Sequence, residues 1–156
     1  MKKLFSLTLV LALSLCLLAG CGGQSEPAAE TEAPVSSAAH EFDFDGNAVR
    51  VEVDLKDGWC VEFGENATYL YDGPMTDDSE AVAYGVYVDP QEYEDIIAEY
   101  SSYDSFQEVG GGVMFTESDG LNKYVFVVGD NTNYMIMVEA GNDADAVYNR
   151  FHVNMA

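Results

Sequence analysis

Twelve residues, Glu41–Glu52 (EFDFDGNAVRVE), carry the side chains best spaced for chemistry. Carboxylates stand at positions one, three, five and twelve, with a glycine at six. Oxygen ligands at that spacing, with glycine at the sharp bend, are what a helix-flanked calcium loop uses. The flanks argue against it. The residues before it are rich in Ser, Pro and Ala, and the residues after it, VRVEVDL, alternate as a strand does. Position one is Glu where Asp is usual. Asp45-Gly46-Asn47 between two alternating runs signals a tight β-hairpin, with Phe42 and Phe44 turned to a core and Glu41, Asp43 and Asp45 to water. The hairpin is therefore the reading. Asp43 and Asp45 stay as weak cation ligands, should the fold bring Asp77, Asp78 and Glu80 to them.

A second weak metal pair is Asp143 and Asp145, in DADA after Gly141-Asn142. Capping and charging a helix start is their simpler use. Histidine, the commonest general base and zinc ligand, occurs only as His40 and His152, neither within a motif. Gly110-Gly111-Gly112 lacks the Lys and Ser or Thr of a phosphate loop, so it marks a turn or bulge. Glu92, Glu94, Asp95 and Glu99 read as the wet side of a helix. The ten tyrosines suit stacking on sugars, but a ring buried with its hydroxyl at the rim is the commoner use. Cys60, between Trp59 and Val61, reads as a small packed residue. No catalytic residue and no cofactor is assigned.

The start of the chain is more specific. Met1-Lys2-Lys3 precedes an apolar run from Leu4 to Ala19, too short for a confident membrane span and fitting a secretory signal. It ends Leu18-Ala19-Gly20-Cys21, which resembles the lipobox of bacterial lipoproteins. That resemblance implies a diacylglyceryl group on the Cys21 sulfur, cleavage before Cys21, and acylation, such as palmitate, of the new amino group. Two or more acyl chains make a stable anchor. The expected organisation is a signal peptide over 1–20, the lipidated Cys21 and a flexible tether over 21–40, and one domain over 41–156. The expected location is the extracytoplasmic face of the cell membrane, within the cell envelope.

Cleavage would take Lys2 and Lys3 and no acid, moving the charge from −22 to −24, four basic residues against 28 acidic. Such a surface repels nucleic acid. The partners it leaves are the bilayer through Cys21, an envelope protein, or a cationic ligand. With Cys16 lost in the signal and Cys21 lipidated, Cys60 has no disulfide partner, so the fold rests on its core.

Strands are expected at 42–44, 49–55, 59–63, 67–71, 81–88, 113–116, 124–128 and 134–138, from alternation or from short runs apolar on both faces. Asp89, Pro90 and Glu92 open a helix whose Tyr93, Ile96, Ile97 and Tyr100 share a face. A second helix begins near Asn142 or Asp143 and uses Ala144, Val147, Tyr148 and Phe151, with Arg150 suiting its C-terminal dipole. The order hairpin, LKDGWCVEF, DPQEYEDIIAEY, DADAVYNRF resembles the PsbP-like fold. This implies an α+β domain, a mainly antiparallel sheet covered by helices in an α/β/α sandwich, used there for non-enzymatic protein binding. The functional expectation is a membrane-anchored lipoprotein with a non-catalytic binding or adaptor domain. An envelope hydrolase using Asp or Glu, or a low-affinity cation-binding protein, is the alternative.

Overall fold

The computed structural model describes residues 36–129 and 132–156. The expected signal, Cys21 and most of the expected tether lie outside them. Among the described residues ten strands form two antiparallel sheets. Strands β1 (Ser36–Phe44), β2 (Asn47–Leu55) and β10 (Phe151–Met155) make a three-stranded sheet in the order β1-β2-β10. The larger sheet joins β3 (Cys60–Phe63), β4 (Ala67–Tyr71), β5 (Ala83–Val88), β6 (Gln107–Val109), β7 (Gly112–Thr116), β8 (Asn122–Gly129) and β9 (Thr132–Val138). Its order is β3-β4-β5-β9-β8-β7-β6. The strands apolar on both faces, β5, β8 and β9, sit in its interior, as burial on both sides requires.

The small sheet lies face to face with the large one. Phe42, Phe44, Val49, Val51, Val53 and Phe151 point inward from it and meet Leu70, Ala83, Tyr124, Tyr134, Ile136 and Val138. Alternation puts the charged residues of β2 on the other side, where Arg50 pairs with Glu52 at 3.2 Å. The opposite face of the large sheet is only half covered. Helix α1 (Pro90–Tyr100) lays Tyr93, Ile96, Ile97 and Tyr100 over Val88, Val113, Phe115 and Val125. Its start is the expected one: the Asp89 carboxylate accepts the Glu92 N–H at 2.8 Å, with Pro90 in the first turn.

The helix-covered α/β/α sandwich is therefore not what forms. The fold is β-rich, with a sheet where one helical layer was expected. The physical reason lies at the C-terminus. Ala144, Val147, Tyr148 and Phe151 have helical spacing, but α2 (Ala144–Tyr148) stops after five residues. Phe151 starts β10, which pairs with β2 from Phe151↔Val53 to Met155↔Val49. Arg150 is no helix-dipole partner either. It is buried, donates to the Asp54 carbonyl at 3.3 Å, and sets its guanidinium 5.1 Å from the Trp59 ring centroid. The boundary at residue 41 also moves. β1 begins at Ser36, so 36–40, read as tether, extend the strand of Glu41 and pair with β2, from Ser36↔Leu55 to His40↔Val51.

One ion pair closes the turn between β7 and β8, and the Tyr100 hydroxyl of α1 reaches it. Lys123 on β8 holds Glu117 at 2.6 Å, both largely buried. The Lys123 ammonium, and then the Tyr100 hydroxyl, keep the Glu117 carboxyl below the usual carboxylate range. A depressed carboxyl stabilises the fold above its unfolded pKa, and that contribution is lost as pH falls through the lower folded value. Glu117→Gln should cost about 1 kcal/mol at neutral pH, and that cost should fade as pH falls through the lowered folded value, where the wild-type carboxyl is protonated too. Urea melts from neutral to acid pH measure both.

Candidate functional site

The structure places the sequence-predicted acids apart. Asp45 (φ 53°) and Gly46 (φ 86°) both take the left-handed conformation that a type I′ turn needs. The Asp43 carboxylate accepts the Gly46 N–H at 2.7 Å. The calcium-like spacing is thus that of a two-residue hairpin. Asp143 caps α2 by accepting the Ala146 N–H at 3.1 Å, and Asp145 accepts the Tyr124 hydroxyl at 2.9 Å. These two pairs sit at opposite ends of the β5–β9 ladder. The hairpin end is marked by Phe44 stacked on Tyr87, and α2 follows the far end, where Val138 pairs with Ala83. Asp78 and Glu80 line a cleft with Asp72 and Glu139, away from Asp43. Among the described residues no group of three or more His, Cys, Asp or Glu side chains converges to hold a metal ion. Cys60 is half-buried and its thiol donates to the Gly73 carbonyl at 3.0 Å.

What the fold leaves open is the half of the large sheet that α1 does not reach. Alternation sends Tyr69 and Tyr71 of β4 and Tyr84 and Val86 of β5 to that side, while Thr68, Leu70 and Ala83 go inward to the core. Register then lines up one row across five strands: Glu62 opposite Tyr69, Tyr69 opposite Tyr84, Tyr84 opposite Met137, Met137 opposite Lys123. The Tyr69 and Tyr84 rings stack with centroids 6.5 Å apart and planes 27° apart. The Tyr71 hydroxyl donates to Glu62 at 3.3 Å. Tyr69, Tyr71, Tyr84 and Val86 floor a cleft of about 630 Å³, walled by Glu80 and Glu139. Tyrosine faces stack on cations, sugars and apolar groups, and need no catalytic partner to do so.

Carboxylates dominate the electrostatics of this face. Burial, and next the Glu62 carboxylate, push the Tyr71 hydroxyl upward in pKa; burial and then Glu139 do the same to Tyr84. At the hairpin end, burial followed by Asp45 and Asp89 raises Tyr87. Carboxylates thus face the phenols from several strands and loops. One cation reaches this face, Lys123, which partly offsets the upward push on Tyr84 and is itself held by carboxylates. Arg50 faces Glu52, Lys123 faces Glu117 and Asp119, and Lys56 and Arg150 both sit 5.1 Å from the Trp59 ring.

Tyr69 and Tyr71 sharing one side was legible from their spacing, and Tyr84 was legible as facing opposite to Tyr87. That Tyr84 pairs with Tyr69, and that Glu80 and Glu139 wall them, depends on register and was not. Four of the other tyrosines follow the commoner use: Tyr124 and Tyr134 are core residues, and Tyr93 and Tyr100 fasten α1. Comparison with protein-family models, with curated proteins and with solved structures finds no match to this chain.

Proposed function

We propose that this chain is a lipoprotein anchored through Cys21 to the extracytoplasmic face of the cell membrane, and that its folded domain is a non-catalytic binding or adaptor domain. The observation that carries the binding half is the tyrosine-floored face beside α1. The inner side of the sheet is sealed by β1, β2 and β10, and half of its outer side by α1, yet three aromatic side chains stand together on the remainder. Aromatic side chains gathered on an open patch are the composition of a binding surface. A hydrolase acting through a carboxylic acid needs a carboxyl raised toward neutral pH. Glu52 and Glu117 move the other way, held down by hydrogen bonds from Ser37 and Arg50 and from Lys123 and Tyr100 respectively.

Hydroxyl-radical footprinting tests the binding half whatever the ligand is. In intact envelopes Tyr69, Tyr71 and Tyr84 should be protected several-fold relative to the isolated protein, with Tyr103, which is 46% exposed, as the reference. Equal labelling in both preparations would leave the face without an occupant and end this reading. For the anchor, labelled palmitate should enter the parent chain and be absent from Cys21→Ser, which should leave the membrane fraction.

A further inference from the structure

We infer that the occupant of this face is an extended, basic segment of a partner polypeptide carrying two cationic clusters about 17 Å apart. The inference rests on the tyrosine face being the binding surface and adds what fills it.

The tyrosine cleft does not end at its own walls. It shares Tyr69 and Val86 with a second cleft of about 560 Å³ at the hairpin end, which Asp43, Asp45 and Glu65 line. In the other direction it shares Glu80 and Glu139 with a third cleft, which adds Asp72 and Asp78. The result is one trough along β4, with a carboxylate cluster at each end and tyrosine between. From Ala67 at the hairpin end to Asp72 at the other is five residues of extended chain, about 17 Å.

That charge pattern selects the occupant. Neutral sugar would stack on the rings but would bring no charge for carboxylates that it must partly strip of water. Nucleic acid is repelled. A lone metal ion would find no converging set of three ligands among the described residues. The chain cannot supply the cations itself. Residues 21–49 contain neither Lys nor Arg. The four that follow already face a carboxylate or the Trp59 ring, so a second copy offers no complement. An external chain with Lys or Arg at both ends of a short extended stretch matches both clusters. Its guanidinium groups can also stack on the tyrosines.

The test is titration of the isotope-labelled mature chain, followed by NMR, with a peptide bearing two Lys-Arg pairs separated by three Gly or Ser residues. Comparison ligands are the same peptide with one pair changed to Ser-Ser, and a neutral β-linked glucan oligosaccharide. The two-pair peptide should shift Tyr69, Tyr71 and Tyr84 and bind at least about tenfold tighter than the one-pair peptide, because the second cluster then binds intramolecularly. Asp43→Asn with Asp45→Asn, and separately Glu80→Gln with Glu139→Gln, should each weaken it about tenfold. These exposed amides keep the acceptor that Asp43 offers to Gly46 and so leave the fold intact. Glu94→Gln with Glu99→Gln on α1 should leave affinity within about twofold. Equal affinity of the one- and two-pair peptides would overturn the bipartite match. Equal weakening by the α1 pair would reduce the effect to general attraction by an acidic surface and overturn the inference. If the glucan alone shifts the tyrosines, the face remains a binding surface and the basic occupant is rejected. If no ligand shifts them and the envelope footprint is also flat, both readings fall together.

Discussion

A chain that stops at Arg150 is expected to show no cooperative unfolding transition at room temperature. The missing residues are β10. Phe151 is 7% exposed and belongs to the core between the sheets, and Val153 packs against that core. Losing Phe151 alone costs about 3–4 kcal/mol. Uncovering Val153's contacts adds about 1–2 kcal/mol, and β2 loses its partner over five paired positions. The total exceeds about 5 kcal/mol, the lower end of what holds a domain of this size together. Circular dichroism against urea reads the result. Phe151→Ala is the milder version and should lower the melting temperature by roughly 10–15 °C. Had Phe151 been the last contact of a longer α2, the truncated chain would lose one side chain and still melt cooperatively. A sharp transition close to that of the full chain would therefore refute the two-sheet core.

Gly85→Ala should cost about 3 kcal/mol, although the position lies in regular strand. An added Cβ would stand 2.5 Å from both Cε1 and Oη of Tyr134. That ring is fully buried, and its hydroxyl donates to the Thr68 hydroxyl, also buried, at 3.1 Å. Moving the ring strains the core and breaks a hydrogen bond that water cannot replace. Overpacking costs about 1–3 kcal/mol and an orphaned buried hydroxyl about as much. The mechanism makes a sharper claim than the magnitude. Adding Tyr134→Leu removes the clash, so the double variant should be more stable than the sum of the single effects by at least about 1 kcal/mol. Strict additivity in urea melts would mean that the glycine is there for another reason.

These two regions also mark the limits of what the sequence discloses. The interior strands were legible because AVAYGVYV, YVFVV and YMIMV are apolar on both faces, and α1 because its cap, proline and apolar stripe agree. The hairpin at Asp45-Gly46 was legible from turn chemistry. Phe151 was not, because one aromatic residue seven positions after Ala144 satisfies a helical stripe as well as it starts a strand. Choosing β2 as the partner of β10 requires contacts about 100 residues apart, such as His152 with Asp54 at 3.0 Å, on which local periodicity is silent. Ser36–His40 are small and polar, and become strand only because β2 extends nine residues beside them. Gln107–Val109, an edge strand, carries no pattern of its own. The tyrosine face shares this limit. Its residues alternate legibly, but whether they are covered depends on how far α1 extends over that side, on which the pattern is silent.

The chain contains one tryptophan, and it sits where the two sheets are fastened at the C-terminal end. Trp59 has the Lys56 ammonium and the Arg150 guanidinium against its ring, and Arg150 is the residue from which β10 departs. The candidate binding face has tyrosines and no indole. The two events are therefore separated by colour. Emission excited at the red edge, where only indole absorbs, follows the detachment of β10. Tyrosine absorption and its difference spectrum follow occupancy of the trough. Unfolding and ligand binding can be recorded in one cuvette without a label, each in its own wavelength band.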